Sequence, residues 1–172
     1  TGFNRNHKIT EEGGVVDEEY RVSYVIDRTN TFSKALIGVT MECAQCHDHK
    51  YDPFSQKNYY QLYSFFNNVK EVGIESTVGG PETYAKKPMI EISNEEVNKI
   101  LKFINKRDTN KLIVSVMGDR DTLRKTFILD RGAYDAPGAE VMAGTPESIL
   151  AFDPKYPKNR LGLAQWLFDK RN

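Results

Sequence analysis

The stretch T-M-E-C-A-Q-C-H-D-H-K-Y-D-P, residues 40–53, contains both cysteines of the chain and two of its three histidines. Cys43, Cys46 and His47 form the spacing C-x-x-C-H. On one helical turn this spacing puts two thiols and an imidazole on the same side of the backbone. Such a turn can attach haem c, with both thiols bonded to the porphyrin vinyl groups and His47 bound to the iron as axial ligand.

Two other chemistries use the same residue types. A zinc ion takes donors of the kinds found in Cys43, Cys46, His47 and His49, but structural zinc sites draw on two distant segments and the sequence has no second pair. A thioredoxin-like redox pair, or a plain disulfide, needs the cysteines alone, yet redox C-x-x-C motifs follow a strand in a βαβ unit. The spacing therefore favours haem and leaves the other two chemistries open.

A haem at this site leaves a sixth iron position to be filled. The candidate ligands are His7, His49, Met41, Met89, Met117 and Met142. His49 lies only two residues after His47, so it cannot easily reach the opposite face of the porphyrin. His7 has more room in its loop, and a methionine ligand would raise the reduction potential. The sequence does not choose between them.

Helices are predicted on both sides of the motif. Asp17 is expected to be the N-cap of the first, with Glu18 and Glu19 where the helix dipole favours negative charge. After the break at Asp52-Pro53, Ser55 is expected to cap a second helix. Spacing of three and four residues predicts two apolar faces. The first belongs to one helix, or to two helices that meet near Asn30, and contains Val22, Val25, Thr29, Phe32, Leu36, Val39 and Cys43. The second, in the helix after Ser55, contains Tyr59, Leu62, Tyr63, Phe66 and Val69.

The second half of the chain has mixed patterns. Residues 73–88 are predicted as a loop or link and 94–107 as a charged helix. Residues 89–92, 112–117 and 126–129 read as strands, and a turn-rich segment then leads to a last helix with Leu161, Ala164, Trp166 and Leu167 on its apolar side. The sequence thus predicts a mainly α protein with a minor β component. A helical, haem-c-like domain is expected at residues 1–87 and a smaller mixed α/β segment at 88–172.

The composition of the chain bears on which classes of partner it can bind. Lys plus Arg and Asp plus Glu are balanced at 24 each, so no overall charge favours nucleic acid or an anionic membrane. No apolar run approaches the roughly 20 residues that cross a bilayer, so no transmembrane segment is expected. The sequence opens without Met or a signal-peptide pattern and reads as part of a longer protein.

The longer motifs resemble a known family. G-F-N-R-N-H, E-G-G, E-E-Y-R-V-S-Y-V-I-D-R and C-A-Q-C-H-D-H-K-Y-D-P-F-S-Q-K-N-Y-Y-Q-L-Y-S-F-F-N-N-V are similar to the planctomycete-type cytochrome c multidomain proteins over residues 2–69. Farther on, R-K-T-F-I-L-D-R-G-A-Y-D-A-P-G-A-E-V and N-R-L-G-L-A-Q-W-L look like the start of the next conserved domain of that family.

The resemblance implies an extracytoplasmic electron-transfer module, periplasmic or at the cell surface, that works with a redox partner protein. It implies one covalent haem c on Cys43 and Cys46, with His47 as axial iron ligand and His7, in the motif Asn4–His7, as a candidate distal ligand. An exported enzyme acting on polysaccharide or a related substrate, and a non-haem structural or metal-binding module, are the alternatives. Family members usually have a longer charged region near Asn110, so we expect residues to be missing there.

Overall fold

The structure is a computed structural model that describes residues 2–10, 12–74, 88–92, 95, 98–99 and 112–172. The α-helices are α1 (Asp17–Phe32), α2 (Gln56–Asn67) and α3 (Arg160–Leu167), and the strands are β1 (Met89–Ile92), β2 (Leu112–Ser115), β3 (Thr126–Leu129) and β4 (Pro137–Val141). This confirms the mainly α class with a minor β component. The predicted helix at 94–107, most of the loop at 73–88 and the expected gap near Asn110 lie outside the described residues.

Helix α1 begins one residue earlier than predicted. Val16 is its N-cap, without a side-chain hydrogen bond, and Asp17 is its first helical residue. The Asp17 carboxylate is not free to cap the helix, because its Oδ1 accepts the backbone N–H groups of Gly73 and Ile74, each at 3.0 Å. Asp17 therefore ties the start of α1 to the segment that follows α2.

The end of α1 opens into one π-helical turn, Ser33–Ile37. Thr29 and Ser33 donate their hydroxyls to the carbonyls of Val25 and Thr29, four residues earlier in each case. Such bonds compete with the helical ladder and bend helices. Gly38 then ends the turn in the left-handed region at φ 76, a conformation that residues with a Cβ rarely adopt. The predicted stripe is buried only as far as Phe32, and Leu36 and Cys43 are exposed.

Helix α2 begins with the predicted cap. Ser55 accepts the N–H of Asn58 on its hydroxyl, and the Asn58 side chain accepts the N–H of Ser55 in return. This capping box satisfies two of the N–H groups left over at a helix start. The helix is buried on more than the predicted side, because Tyr60 and Phe65 join the expected set in the core.

The strands form two antiparallel pairs, β1 with β2 and β3 with β4. The β3–β4 hairpin has a register shift between Phe127 and Leu129 and a tight turn at Asp130–Gly132. It packs against α2, and the bond from the Asn67 amide to Thr126 Oγ1 (3.0 Å) joins the two. Strand β4 was not predicted; its sequence had been read as turns.

The C-terminal helix α3 completes the core. Asn159 caps it by accepting the N–H groups of Leu161 and Gly162. Its buried residues are Gly162, Leu163 and Trp166, whereas Leu161 and Ala164, predicted to face the core, are exposed. Among the described residues, no helix combines the length and apolarity that a bilayer crossing requires. Whether residues 1–87 and 88–172 are separate domains stays a prediction.

Candidate functional site

Cys43 and Cys46 lie on a single 3-10 turn, Glu42–Gln45, with Cys46 at its C-cap. The Cys43 carbonyl accepts the N–H groups of Cys46 at 3.2 Å and of His47 at 3.4 Å. Both cysteines are free thiols and both are exposed. The turn therefore places both cysteines at the surface, three residues apart along the chain.

The turn is held from below by α2. The Gln45 carbonyl accepts the Tyr60 hydroxyl at 3.0 Å and the Gln56 side-chain amide at 3.1 Å. The same Gln56 amide donates to the carbonyl of Leu129, at 3.1 Å, in the hairpin. Burial raises the pKa of Tyr60, so its phenol stays protonated and can donate. One amide thus connects the cysteine turn, α2 and the hairpin.

His47 is exposed, and its Nδ1 lies 2.7 Å from the carbonyl oxygen of Asp48. A carbonyl only accepts, so the proton of the neutral imidazole lies on Nδ1. Nε2 then carries the lone pair that binds a metal ion. The Asp48 carboxylate in turn accepts the N–H of Gln56 at 2.7 Å, at the start of α2, where the helix dipole favours a negative charge.

The His49 side chain is hydrogen-bonded within its own loop. Its Nδ1 accepts the backbone N–H groups of Asp52 at 2.9 Å and Tyr51 at 3.3 Å, and its own N–H donates to the carbonyl of Phe54. Its side chain is only 11% exposed. Within the part of the chain that the structure describes, no three His, Cys, Asp or Glu side chains are grouped as a metal site. The four-donor zinc arrangement is therefore not assembled here.

The hairpin turn borders the cysteine turn. A Cβ at Gly132 would lie 3.2 Å from Cys46 Sγ and 2.8 Å from the Gln45 side-chain nitrogen. Gly132 also has φ 76, which is strained for a residue with a Cβ. A glycine here keeps the backbone close to the thiol without covering it, a requirement that sequence reasoning missed because 86 residues separate Gly132 from Cys46.

A buried charge cluster joins the Asn4–His7 motif to the two helices. Glu71 accepts two hydrogen bonds from Arg28, at 2.7 and 2.8 Å, and one from Arg5 at 2.6 Å. Arg28 Nε also donates to the Asn4 carbonyl at 2.7 Å. The side chains of Arg5, Arg28 and Glu71 are each no more than 2% exposed. We call these three residues and His7 the Glu71 cluster.

His7 is packed inside this cluster. Its ring lies 4.6 Å from that of Tyr24, its Nδ1 lies 2.6 Å from the Lys8 carbonyl and its Nε2 lies 3.7 Å from Glu71 Oε2. Its side chain is 2% exposed, and Nε2 has no hydrogen-bond partner among the described residues. Burial, and then the charge of Arg28, lower the pKa of His7, so its imidazole is neutral at pH 7.

Glu71 keeps its charge in spite of burial. Burial pushes the pKa of Glu71 upward, but the hydrogen bonds and charge of Arg28, with His7 and Arg5, outweigh it and hold the pKa below its usual value. Sequence reasoning missed Arg28 and Glu71. The available signal was the position of Arg28 on the same stretch of α1 as the core residues Val25 and Thr29.

The structure does not bring His7 and His47 together. The cysteine turn contacts the first residues of α2 through Gln56 and Tyr60, whereas Glu71, with His7 beside it, follows the last turn of that helix. Twelve helical residues span roughly 18 Å. His7 as a distal iron ligand stays a prediction that this arrangement does not favour.

The remaining candidate residues are scattered. Met41 is buried in the core, Met89 and Met142 are exposed, and Met117 is half-buried against the core. The aromatic residues of α2 belong to the buried core, where Phe66 contacts Phe32 with ring centroids 5.6 Å apart. The choice of sixth ligand therefore stays open.

One family model matches the chain. It is PSCyt2, described as a protein of unknown function (DUF1549), and it covers residues 1–71, from the Asn4–His7 motif through the cysteine turn and α2 to Glu71. This region is thus similar to a planctomycete domain family associated with cytochromes. No curated protein and no solved structure matches the chain significantly.

Proposed function

We propose that this chain carries one haem c, bound covalently by Cys43 and Cys46 and ligated at the iron by His47, and that it serves as an electron-transfer module. The observation that carries the proposal is the arrangement of the three side chains: two exposed cysteines on one turn, followed by an exposed imidazole whose Nδ1 lies 2.7 Å from the Asp48 carbonyl oxygen. The similarity of residues 1–71 to a cytochrome-associated family supports the same chemistry.

The donor set fits this cofactor. Each thiol can add across one porphyrin vinyl group, with the sulfur bonding to one carbon and the proton going to the other, so attachment needs no oxidant. A glycine at position 132 lets the hairpin backbone pass close to Cys46, where a Cβ would lie 3.2 Å from the sulfur. When bound, the haem would supply an iron that accepts and releases single electrons.

The surrounding residues would hold the axial ligand. The Asp48 carbonyl accepts Nδ1–H of His47, which fixes the tautomer and makes Nε2 a stronger donor. Tyr60 and Gln56 keep the turn fixed on α2 through the Gln45 carbonyl. Rigid support of this kind is what a ligand site needs to keep its geometry during electron transfer.

The wider setting follows from the family resemblance and belongs to this proposal. The module would act outside the cytoplasm, within a larger multidomain protein, and exchange electrons with a partner protein. Catalysis by the Asn4–His7 loop on a polysaccharide gains no support from the geometry, since the His7 side chain is 2% exposed and lies against Glu71.

Expression together with a haem-attachment system tests the proposal. We expect red protein, a c-type pyridine haemochrome spectrum and a mass increase of one haem. Cys43→Ala and Cys46→Ala should each remove one thioether bond, and His47→Ala should alter the spectrum of the iron. His7→Gln is the matched histidine control at the other end of α2, and it should leave covalent attachment unchanged.

A colourless product without covalently attached haem would refute the haem assignment. Mass spectrometry and metal analysis would then separate the alternatives, because a Cys43–Cys46 disulfide loses two hydrogens and a zinc site retains metal. If the protein is red, carbon monoxide binding to the reduced form reports on the sixth position. Fast binding would argue against a firmly held His7 or Met ligand.

A further inference from the structure

A cleft of about 420 Å3 lies between α1, α2 and the β3–β4 hairpin. Glu18, Arg21 and Val22 of α1 form one wall, and residues of the hairpin, including Phe127 and Tyr134, form another. Cys43, Cys46 and His47 do not line it. The cleft is thus a feature separate from the cysteine turn.

Cationic side chains outnumber acids in this cleft. Its lining includes Arg21, Arg120, Arg124 and Lys125 but only one carboxylate, that of Glu18. Arg21 binds both oxygens of this carboxylate, each at 2.7 Å. Lys125 pairs outside the lining, with Glu140 at 3.0 Å. Among the described residues, Arg120 and Arg124 therefore have no carboxylate of their own.

Arg124 is only weakly partnered. Its nearest acid is Glu18, 3.7 Å from Nη1 and already held by Arg21. Its Nε is buried without a hydrogen-bond partner among the described residues, although its side chain is 22% exposed. Burial, and then the charge of Arg21, lower the pKa of Arg124, which agrees with an excess of positive potential. A bound oxyanion would accept a hydrogen bond from Arg124 and would also balance the excess positive charge.

Arg21 shows what a fully partnered arginine looks like in the same cleft. Its guanidinium group donates two hydrogen bonds to the Glu18 carboxylate, and its Nη1 donates to the Asn67 side-chain oxygen at 2.9 Å. The bond to Asn67 joins α1 to α2. A purely structural role accounts for Arg21 in this way. It does not account for Arg120 and Arg124, whose guanidinium groups make no such bond within the described part of the chain.

The other surfaces of the cleft are aromatic. Phe127 and Tyr134 of the hairpin region are half-buried, and Tyr63 lies at the base. Burial raises the pKa of Tyr63 to about 12, so the phenol stays neutral beside the arginines. Half-exposed ring surface next to guanidinium groups that are only weakly paired, or have no carboxylate partner among the described residues, suits a ligand with one charged and one flat apolar part.

We propose that this cleft binds a small carboxylate that carries a flat apolar ring, with the carboxylate on Arg124 and Arg120 and the ring against Phe127 and Tyr134. Guanidinium groups match the planar, two-oxygen geometry of a carboxylate better than an ammonium group does. The ring would cover apolar surface that the protein leaves half-exposed.

Titration of the 172-residue chain with benzoate, followed by NMR or calorimetry, tests this inference. We expect saturable binding with a dissociation constant of about 1 to 10 mM, as befits a small probe. Acetate and inorganic phosphate should bind several-fold more weakly, because they lack the ring, and benzylamine should not bind. Arg124→Gln should weaken benzoate about tenfold, since it removes a charge-assisted bond.

Two further variants provide a second test of the cleft and a control outside it. Arg120 is exposed, so Arg120→Gln should fold normally and still weaken benzoate. Arg171→Gln makes the same change of charge at a site bonded to Asp153 and Asp169, outside the cleft, and should bind like the parent chain. Absence of saturable benzoate binding, equal affinity for acetate, or equal losses in the Arg120 and Arg171 variants would overturn the proposal.

Discussion

Replacing Glu71 with glutamine should destabilise the protein more than any exposed charge change. Glu71 is the one carboxylate of its cluster, and Arg5 and Arg28 bind it from two directions. Glutamine keeps the shape and one acceptor oxygen but removes the negative charge. Arg5 and Arg28, whose side chains are at most 2% exposed, would then both lose the charge of the carboxylate that they share.

The expected loss follows from burial. Breaking a buried ion pair by removing one partner costs about 3 to 5 kcal/mol, because the remaining charge stays out of water without a counter-ion. Glutamine retains part of the hydrogen bonding, so a loss near the lower end, about 3 kcal/mol, is expected. With a urea dependence of about 2 kcal/mol per molar, the unfolding midpoint should fall by roughly 1.5 M.

Urea unfolding followed by circular dichroism measures this change. Asp121→Asn is the matched control, because Asp121 pairs with Lys70 at 3.2 Å but is 95% exposed, and it should shift the midpoint little. Arg28→Met combined with Glu71→Met should cost less than the sum of the single changes. Equal midpoints for the Glu71 and Asp121 variants would refute the reasoning.

Two other predictions concern the same part of the fold. The pKa of His7 is lowered from 6.5, so the unfolded chain binds the proton more readily; the free energy of unfolding should fall as pH drops below about 6.5. His7→Gln should flatten that part of a pH series of urea midpoints, and unchanged slopes would contradict this. Gly73→Ala should lower the melting temperature strongly, because the new Cβ would lie 1.8 Å from the Asp17 carbonyl oxygen. Calorimetry measures this change, with Gly2→Ala as the control because a Cβ there meets nothing within 4 Å. Equal melting temperatures for the two variants would contradict the prediction.

Local patterns predicted what local forces determine. Ser55 and Asn58 are three residues apart, and their capping box formed as expected from the helix start alone. The backbone hydrogen bonds that close the turn at Cys43 and Cys46 likewise span at most four residues. In both cases the partners lie so close along the chain that the sequence holds nearly all the information.

Contacts between residues far apart along the chain could not be predicted from the sequence. Glu71 reaches Arg28 across 43 residues and Arg5 across 66, and no periodicity reveals such a pair. Strand β4 was missed because Pro137 and Gly138 indicate turns; a proline is tolerated as the first residue of an edge strand. Asp17 has the residue type and position of a cap, but its carboxylate accepts the amides of Gly73 and Ile74, which are 56 and 57 residues away along the chain.

The hydrogen bonds of the Tyr24 hydroxyl should slow amide hydrogen exchange in the irregular segment before α1. Residues 3–10 contain only one 3-10 turn of regular structure, and amide hydrogens in such segments ordinarily exchange with solvent quickly. Thr10 N–H, however, donates to the Tyr24 hydroxyl at 2.7 Å, and that hydroxyl, itself fully buried, donates onward to the Gly73 carbonyl at 2.6 Å. Exchange at Thr10 therefore requires opening of the contact between α1 and the chain after α2, so this loop amide should exchange as slowly as the helices.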